Sequence, residues 1–275
     1  MLIANTLISA IGMILLPLVA GYFIAKKFKQ SFKDFRKLFI AGALTFIASQ
    51  ILHIPFLYGL SALFNNGTIP FPSESWILIF NAIVLGLLAG IFEETARYIL
   101  FKYIMKNSRT WEDGITVGLG HGGIEAILLG IITITTLVQM IAMQDPTALS
   151  ALGLPADQLE IAETQVATYW AQSAGIPFFG FMERISAICL HIGLSVFVMY
   201  SIVSGQGKWF WFAMFWHAFV DALAVYLYPK ITAGTNVVLG TFGLETLVAI
   251  LAVGLLGYAI RLRNSFPVKN ETETK

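Results

Sequence analysis

Seven long stretches of mostly apolar residues dominate this 275-residue chain. A helix needs about 20 apolar residues to cross the hydrocarbon core of a bilayer, and backbone groups there must bond within their own segment. The pattern therefore predicts an all-α polytopic membrane protein. The composition agrees, with 57% hydrophobic and only 12% charged residues. The predicted spans cover approximately residues 2–25, 38–63, 76–101, 114–142, 179–203, 209–228 and 239–260.

The Lys and Arg residues predict the orientation of these spans, because cytoplasmic loops carry an excess of them. Of the 17 basic residues, only Arg97, Arg184 and Lys230 lie away from one side of the membrane. The others lie in the first, third and fifth loops and in the tail: Lys26, Lys27, Lys29, Lys33, Arg36, Lys37, Lys102, Lys106, Arg109, Lys208, Arg261, Arg263, Lys269 and Lys275. We therefore expect an outer N-terminus and a cytoplasmic C-terminus in a plasma membrane, that of a bacterium. The net charge of +1 offers no basic surface for nucleic acid.

The loop between the fourth and fifth spans, about residues 143–178, is the one long loop of the prediction. It carries acids and no Lys or Arg, which fits the outer face. Pro155, followed by early acids and by apolar residues at helical spacing, predicts a short surface helix. This helix is interpreted either as a lid or as part of a passive loop.

The predicted organisation is a single transmembrane domain, residues 1–263. Residues 264–275 end in the polar sequence NETETK and are expected to form a disordered cytoplasmic tail. The single cysteine, Cys189, excludes an intrachain disulfide.

Ionisable side chains inside the third to sixth spans are the candidate functional residues. A charge near the bilayer centre costs about 2.5 to 3.5 kcal/mol, so each needs a partner or a wet cavity. At about 1.5 Å per residue the acids and imidazoles among them lie roughly 12 to 20 Å from the cytoplasmic ends of their spans, and can meet in one cavity. The candidates are Glu93, Glu94, Arg97, His121, Glu125, His191, His217 and Asp221.

Four other ionisable residues in the spans are expected to lie apart from this cavity. Glu183 and Arg184 come near the outer end of the fifth span and are interpreted as a local ion pair. Glu245 is interpreted as an interfacial acid, and His53, close to Pro55, as a helix-packing residue.

Carboxylates beside an arginine and several imidazoles are suited to the activation of water. One glutamate would act as general base, while the imidazoles stabilise an oxyanion or bind a metal. Glu93 and Glu94 point about 100° apart on a helix, so we expect one to face the cavity and the other to hold the architecture. The expected reaction is hydrolysis inside the membrane.

Three blocks of the sequence resemble the motifs of the membrane-embedded CAAX prenyl protease and bacteriocin-processing superfamily. The blocks are EETAR at residues 93–97, HGGIE at 121–125 and HAFVD at 217–221. They are most similar to the PrsW branch, with the motifs E-E-x-x-K, F-x-x-x-E and H-x-x-x-D, and to the YhfC branch. Arg97 replaces the PrsW lysine and His121 the phenylalanine, while GHGGIEA and ERISAICLH favour YhfC.

The resemblance implies a glutamic-type intramembrane endopeptidase with a four-helix catalytic core, the third to sixth spans, at about residues 76–228. Glu93 or Glu94 would activate water, His191 and His217 would assist, and the substrate would be a membrane-anchored peptide or protein. A zinc-like metal is the alternative, with ligands from His121, Glu125, His191 and His217. The metal-free mechanism is preferred, although His121 adds an imidazole where the pattern has an aromatic ring.

Three other functions are compatible with parts of the sequence. A proton- or cation-coupled transporter would use the same buried acids and histidines as a relay, although no inverted repeat is visible. Ser195 with His217 would resemble a rhomboid-type serine site but leaves the acids unexplained. A membrane scaffold would need none of them. Glu93→Gln should abolish cleavage in a glutamic protease, abolish uptake in a transporter and change little in a scaffold.

Overall fold

The computed structural model describes residues 1–267, and every regular element in this part of the chain is helical. Seven helices are long and apolar enough to cross a membrane, which confirms the predicted spans. The elements are α1 (Leu2–Lys27), α2 (Phe32–Asn65), α3 (Glu74–Ile99), α4 (Trp111–Ala142), α5 (Pro146–Ser150), α6 (Ala156–Ala171), α7 (Ile176–Val203), α8 (Lys208–Thr232) and α9 (Val237–Arg261). A π-helical turn (Leu100–Ile104) continues α3, and a 3-10 turn (Leu262–Ser265) follows α9.

A polar cap fixes where α4, the helix that carries His121 and Glu125, begins. Thr110 and Asp113 form a reciprocal capping box at the start of α4, with N···O distances of 3.2 Å and 3.1 Å. This arrangement satisfies two backbone N–H groups that the first helical turn leaves unpaired. The box therefore sets the register of α4 and places His121 about 15 Å along it.

Helix α7 forms the centre of the bundle. In the apolar segment of α7, 78% of the residues are buried, against 17 to 28% in the corresponding segments of the other spans. Helices α1, α4, α8 and α9 pack around it. Polar groups on α7 therefore face other helices rather than lipid.

Glycines allow α3 and α8 to approach at backbone distance. A Cβ atom on Gly86 would overlap the carbonyl oxygen of Ala218, and one on Gly90 would lie 2.5 Å from that of Met214. Small residues permit such close helix contacts in membranes. This contact brings the carboxylates of α3 within reach of His217 on α8.

The long connection between α4 and α7 lies at one end of the bundle, here termed the loop side. It contains α6, which confirms the predicted surface helix, and α5, which the sequence analysis missed. Two hydrogen bonds tie it to the spans, from Asn5 Nδ2 to Ala174 O at 2.7 Å and from Trp170 Nε1 to Met140 O at 3.3 Å. At the opposite end, the tail prediction falls largely on residues 268–275, outside the described residues, although Ser265 closes the 3-10 turn.

Candidate active site

The eight candidate residues on α3, α4, α7 and α8 converge in the interior of the bundle. The imidazoles lie in a row, with ring centroids 4.9 Å apart for His121 and His191 and 5.3 Å apart for His191 and His217. Glu93 Oε2 lies 2.9 Å from His121 Nε2 and 3.8 Å from His217 Nε2. The predicted convergence of four spans is therefore present.

Glu94, Arg97 and His191, here termed the anchor cluster, are joined by direct hydrogen bonds. Arg97 Nη1 donates to Glu94 Oε1, and Arg97 Nη2 lies 2.6 Å from His191 Nδ1. A guanidinium group only donates, so His191 Nδ1 is the acceptor and the ring proton lies on Nε2. That proton is donated to Glu125 Oε2 at 2.7 Å. Arg97 therefore fixes both the orientation and the tautomer of His191.

Glu93, His217 and Asp221, here termed the pocket cluster, approach one another without direct hydrogen bonds. His217 Nδ1 lies 2.7 Å from Glu94 Oε1 and donates to it, which leaves Nε2 directed at the other two residues. Nε2 lies 3.8 Å from Glu93 Oε2 and 3.6 Å from Asp221 Oδ2. These separations are long for a direct hydrogen bond and suit a water molecule or an ion between the three groups.

The two adjacent glutamates have different surroundings. Glu94 is completely buried, whereas Glu93 lines the pocket. Glu93 is held by His121 Nε2 and by Gln50 Nε2, which lies 3.2 Å from its Oε1. Glu93 therefore lines the pocket, while its contacts with His121 and Gln50 hold its side chain in place.

Helix α2 supplies site residues that the sequence analysis missed. Gln50 contacts Glu93, and Thr45 Oγ1 lies 2.8 Å from His121 Nδ1. Thr45, Ser49 and His53 recur every four residues on the buried face of α2. This polar stripe in an otherwise apolar span is the signal that could have revealed the role of α2.

Arg184 also belongs to this network, although it was expected to pair only with its neighbour. It pairs with Glu183 as predicted, but its Nη1 also donates to Glu125 Oε1 at 2.7 Å. Glu125 in turn accepts from His191. Because Arg184 and Glu125 are 59 residues apart on different helices, helical spacing gives no signal for this contact.

Three spaces with shared lining residues lie around these residues. The central pocket, about 90 Å³, is lined by the pocket cluster together with Glu125, Arg184 and His191. A side groove of about 350 Å³ between α2, α3, α4 and α8 shares Glu93 and Asp221 with this pocket. Its other lining residues include Phe46, Gln50, His53, Leu85, Ala89 and Val225. A loop-side cavity of about 720 Å³ meets the central pocket at Glu183 and Glu245.

His53 and Glu245 therefore lie closer to the candidate site than expected. His53 stacks on Phe92 at a centroid distance of 5.3 Å, which fits the predicted packing role, but it also lines the side groove. Glu245, interpreted as an interfacial acid, is buried between the central pocket and the loop-side cavity.

Glu93, His191 and His217 each offer one ligand atom, and these three atoms lie within 4.8 Å of one another. The donor set fits a metal, because each imidazole donates its other N–H to a carboxylate, an arrangement typical of metal-bound histidines. Those carboxylates are Glu125 for His191 and Glu94 for His217. A metal at His191 Nδ1 would replace the hydrogen bond from Arg97.

This group differs from the expected ligand set of His121, Glu125, His191 and His217. Both nitrogens of His121 have partners, Thr45 and Glu93. Both oxygens of Glu125 also have partners, Arg184 and His191. By the distances between ligand atoms, Glu93 rather than His121 or Glu125 shares the candidate ligand group with His191 and His217.

The fold and the site define a polytopic helical membrane protein with acids and imidazoles buried at its centre. The chain belongs to the YhfC intramembrane metalloprotease family, whose family model matches residues 12–241. It is also 30% identical over 250 residues to a Bacillus subtilis (strain 168) protein described as "Uncharacterized membrane protein YhfC", covering 87% of this chain and 89% of that protein. No solved structure gives a significant match. Membership of this family supports a peptidase activity.

Proposed function

We propose that the protein hydrolyses peptide bonds of membrane-associated substrates, with Glu93 as the general base. The observation that carries this proposal is the pocket cluster. Glu93 Oε2 and Asp221 Oδ2 both face His217 Nε2, at 3.8 Å and 3.6 Å. A water bound between these groups would have a carboxylate to accept its proton and an imidazole to orient it.

The remaining candidate residues would hold this geometry. Gln50 and His121 bind Glu93, so its carboxylate has little freedom to turn away from the pocket. Glu94 accepts from His217 Nδ1 and thereby directs Nε2 at the substrate. In its protonated form, His217 would donate from Nε2 to the oxyanion that forms when water attacks the peptide carbonyl.

A divalent metal is a second candidate feature of the same site. The proximity of Glu93, His191 and His217 supports it, as does the description of the family as metalloproteases. These three residues would hold the metal, which would polarise the carbonyl or lower the pKa of a bound water when present. Glu94 and Glu125 would keep the two imidazoles oriented.

Access to the site favours a substrate that arrives from the lipid. The side groove is lined by apolar residues such as Phe46, Leu85 and Val225, and it ends at Glu93 and Asp221. Gln50 offers a polar group along its wall, where the backbone of an unwound peptide needs partners. A membrane-anchored peptide or protein is therefore the proposed substrate.

The proposed location is a bacterial plasma membrane with the loop side outward. The connections on the opposite side carry nearly all loop Lys and Arg residues, as expected for a cytoplasmic face. Gln158→Cys, as the single cysteine in a Cys189→Ser background, should react with an impermeant thiol reagent on intact cells. Gln206→Cys in the same background should react only after lysis, and the reverse result would invert the orientation.

The activity is tested with the purified protein in proteoliposomes and a library of labelled single-span peptides. Glu93→Gln should reduce cleavage about 10²- to 10⁴-fold, the range attributed to general base catalysis. Glu163→Gln removes an exposed acid of α6 and serves as the matched control. Cleavage that survives Glu93→Gln would refute the role of Glu93, and proton uptake without cleavage would favour a transporter.

Metal content and chelation separate the two forms of the proposal. If a metal is required, the purified protein should contain about one ion per chain, and His217→Ala and Glu93→Gln should both lose it. Chelation should then abolish cleavage, and a divalent ion should restore it. Full activity after complete chelation would exclude the metal.

A further inference from the structure

The loop-side cavity is large and has an acidic floor. It lies between α6, the beginnings of α7 and α9, and the end of α8, with a volume of about 720 Å³. Its walls include Met13, Tyr169 and Tyr228, and its floor includes Glu183 and Glu245. The same two glutamates line the central pocket. The cavity is thus a second space that adjoins the candidate active site.

Glu245 is the feature of this cavity that points to a ligand. Its residue is only 9% exposed, and its Oε2 atom is buried without a hydrogen-bond partner among the described residues. Buried carboxylate oxygens are normally paired, because burial without a partner costs the full desolvation penalty. Tyr169, which also lines the cavity, has a buried hydroxyl without a partner in the described part of the chain. Both groups can therefore serve a polar ligand.

The charges around the cavity favour a cation. Arg184 is shared between Glu183 and Glu125, so one guanidinium serves two carboxylates while Glu245 adds a third. No Lys or Arg is among the described residues that line the cavity. The α4–α7 connection on the same side adds further acids and no Lys or Arg: Asp145, Asp157, Glu160 and Glu163.

We propose that the loop-side cavity binds a lysine or arginine side chain of the substrate, in the segment that flanks its membrane span on the loop side. Glu245 is the carboxylate partner of this side chain, and Tyr169 contributes a hydroxyl. The volume of the cavity lies in the range of ordinary ligand sites. The identification of the ligand as a substrate rests on the proposed peptidase function, whereas the preference for a cationic peptide does not.

The preference for a cationic peptide is measured by binding rather than by cleavage. The full-length Glu93→Gln protein in detergent micelles is titrated with fluorescent single-span peptides that have a Leu/Ala span and one variable end. Micelles let either end of the peptide reach the loop side. Peptides that end in Lys-Lys should bind about tenfold more tightly than those that end in Gln-Gln, as expected for one charged hydrogen-bonded contact.

Variants of Glu245 test whether this carboxylate is responsible. Glu245→Gln should remove the preference and Glu245→Asp should keep most of it. Glu163→Gln, which removes an exposed acid that does not line the cavity, should leave the preference intact. Equal affinities for the two peptides, or a preference that survives Glu245→Gln, would overturn the proposal. Equal losses in Glu245→Gln and Glu163→Gln would instead indicate long-range surface attraction and would also overturn it.

If Glu245→Gln does not fold, chemical labelling of the protein with its own Glu245 tests the same proposal. A membrane-permeant carbodiimide should modify Glu245, as read by mass spectrometry, and the Lys-Lys peptide should protect it while the Gln-Gln peptide does not. Equal modification with both peptides would contradict the proposal.

The binding and cleavage results together distinguish the two proposals. Absence of cleavage by the protein without substitutions, together with the binding preference, would refute the peptidase function alone. Cleavage without a preference for the Lys-Lys peptide would refute the proposed role of the loop-side cavity alone.

Discussion

The anchor cluster and the pocket cluster lie side by side, yet their side chains are held in different ways. In the anchor cluster Arg97 is fully buried and bonds directly to Glu94 and His191. In the pocket cluster the side chain of Asp221 is 38% exposed and its carboxylate lies 3.6 Å from His217 Nε2. The contrast separates Arg97 and Glu94, which maintain the geometry, from the pocket cluster, whose polar atoms remain available for a ligand.

Glu93 and Glu94 are adjacent on α3, yet Glu93 belongs to the pocket cluster and Glu94 to the anchor cluster. A rotation of about 100° per residue directs Glu94 toward Arg97 and His217, and Glu93 toward the pocket. A buried ion pair is costly to desolvate and depends on both partners. The anchor cluster should therefore respond to substitution mainly in stability, and the pocket cluster mainly in activity.

The largest predicted effect follows from breaking the buried ion pair. Arg97→Met leaves the Glu94 carboxylate buried without its cation and should lower the free energy of unfolding by about 3 to 5 kcal/mol. The measurement is reversible unfolding in mixed micelles. A second substitution, Glu94→Gln, removes the unpaired charge while keeping an acceptor for His217, so the double variant should recover part of the loss. If Arg97→Met alone is as stable as the unmodified protein, the anchor cluster is not structural.

The next prediction addresses the pocket cluster through Asp221. Asp221→Asn should reduce peptide cleavage in proteoliposomes about 10²-fold, because the proposed water loses an acceptor. The free energy of unfolding should change by no more than about 0.5 kcal/mol, since this side chain is partly exposed.

For Asp221→Asn, the loss of cleavage has to be compared with the change in the free energy of unfolding. Loss of stability comparable to that of Arg97→Met would place Asp221 with the anchor cluster. Unchanged cleavage would remove Asp221 from the proposed mechanism. An activity loss with a stable fold would keep the two clusters distinct.

A third prediction concerns the helix contact that sets the distance between Glu94 and His217. Gly86→Ala inserts a methyl group against the backbone of α8 and should lower the free energy of unfolding by about 1 to 3 kcal/mol. A methyl group on Gly59 in α2 would meet no neighbouring atom within 4 Å, so Gly59→Ala is the matched control and should be neutral or stabilising. If both substitutions change the free energy of unfolding equally, the close contact of α3 with α8 at Gly86 does not contribute to stability.

Hydropathy was sufficient to predict the seven spans because each must satisfy its backbone within one apolar segment. The cost of buried charge likewise identified the eight candidate residues on α3, α4, α7 and α8. Partners on other helices were not predictable in the same way. His121 and Glu125 are four residues apart on α4, yet one contacts Glu93 and the other contacts His191 and Arg184.

The reason is that helical periodicity assigns residues to a face but does not say which helix lies against that face. Arg184 was therefore matched with its neighbour Glu183, and its contact with Glu125 was missed. The role of α2 was also missed, although the sequence carries a signal for it, since Thr45 and His53 lie on one buried face. That stripe was overlooked because neutral polar side chains cost less to bury than charges and stand out less.

The smallest predicted effect tests whether α2 supports the pocket cluster. Thr45 Oγ1 lies 2.8 Å from His121 Nδ1 and also bonds Gly42 O within its own helix. Thr45→Val removes both bonds and should lower the free energy of unfolding by about 0.6 kcal/mol, the mean for interhelical hydrogen bonds in a membrane. Cleavage should fall as well, because His121 holds Glu93.

Thr246→Val provides the control for Thr45→Val, because Thr246 is exposed and its hydroxyl bonds only Phe242 O in its own helix among the described contacts. The difference between the two variants isolates the bond to His121. If both lower stability and cleavage equally, Thr45 does not position His121, and Gln50 is then the α2 residue that supports Glu93. A loss of cleavage specific to Thr45→Val would extend the catalytic architecture from four spans to five, because α2 would then control the orientation of the proposed base.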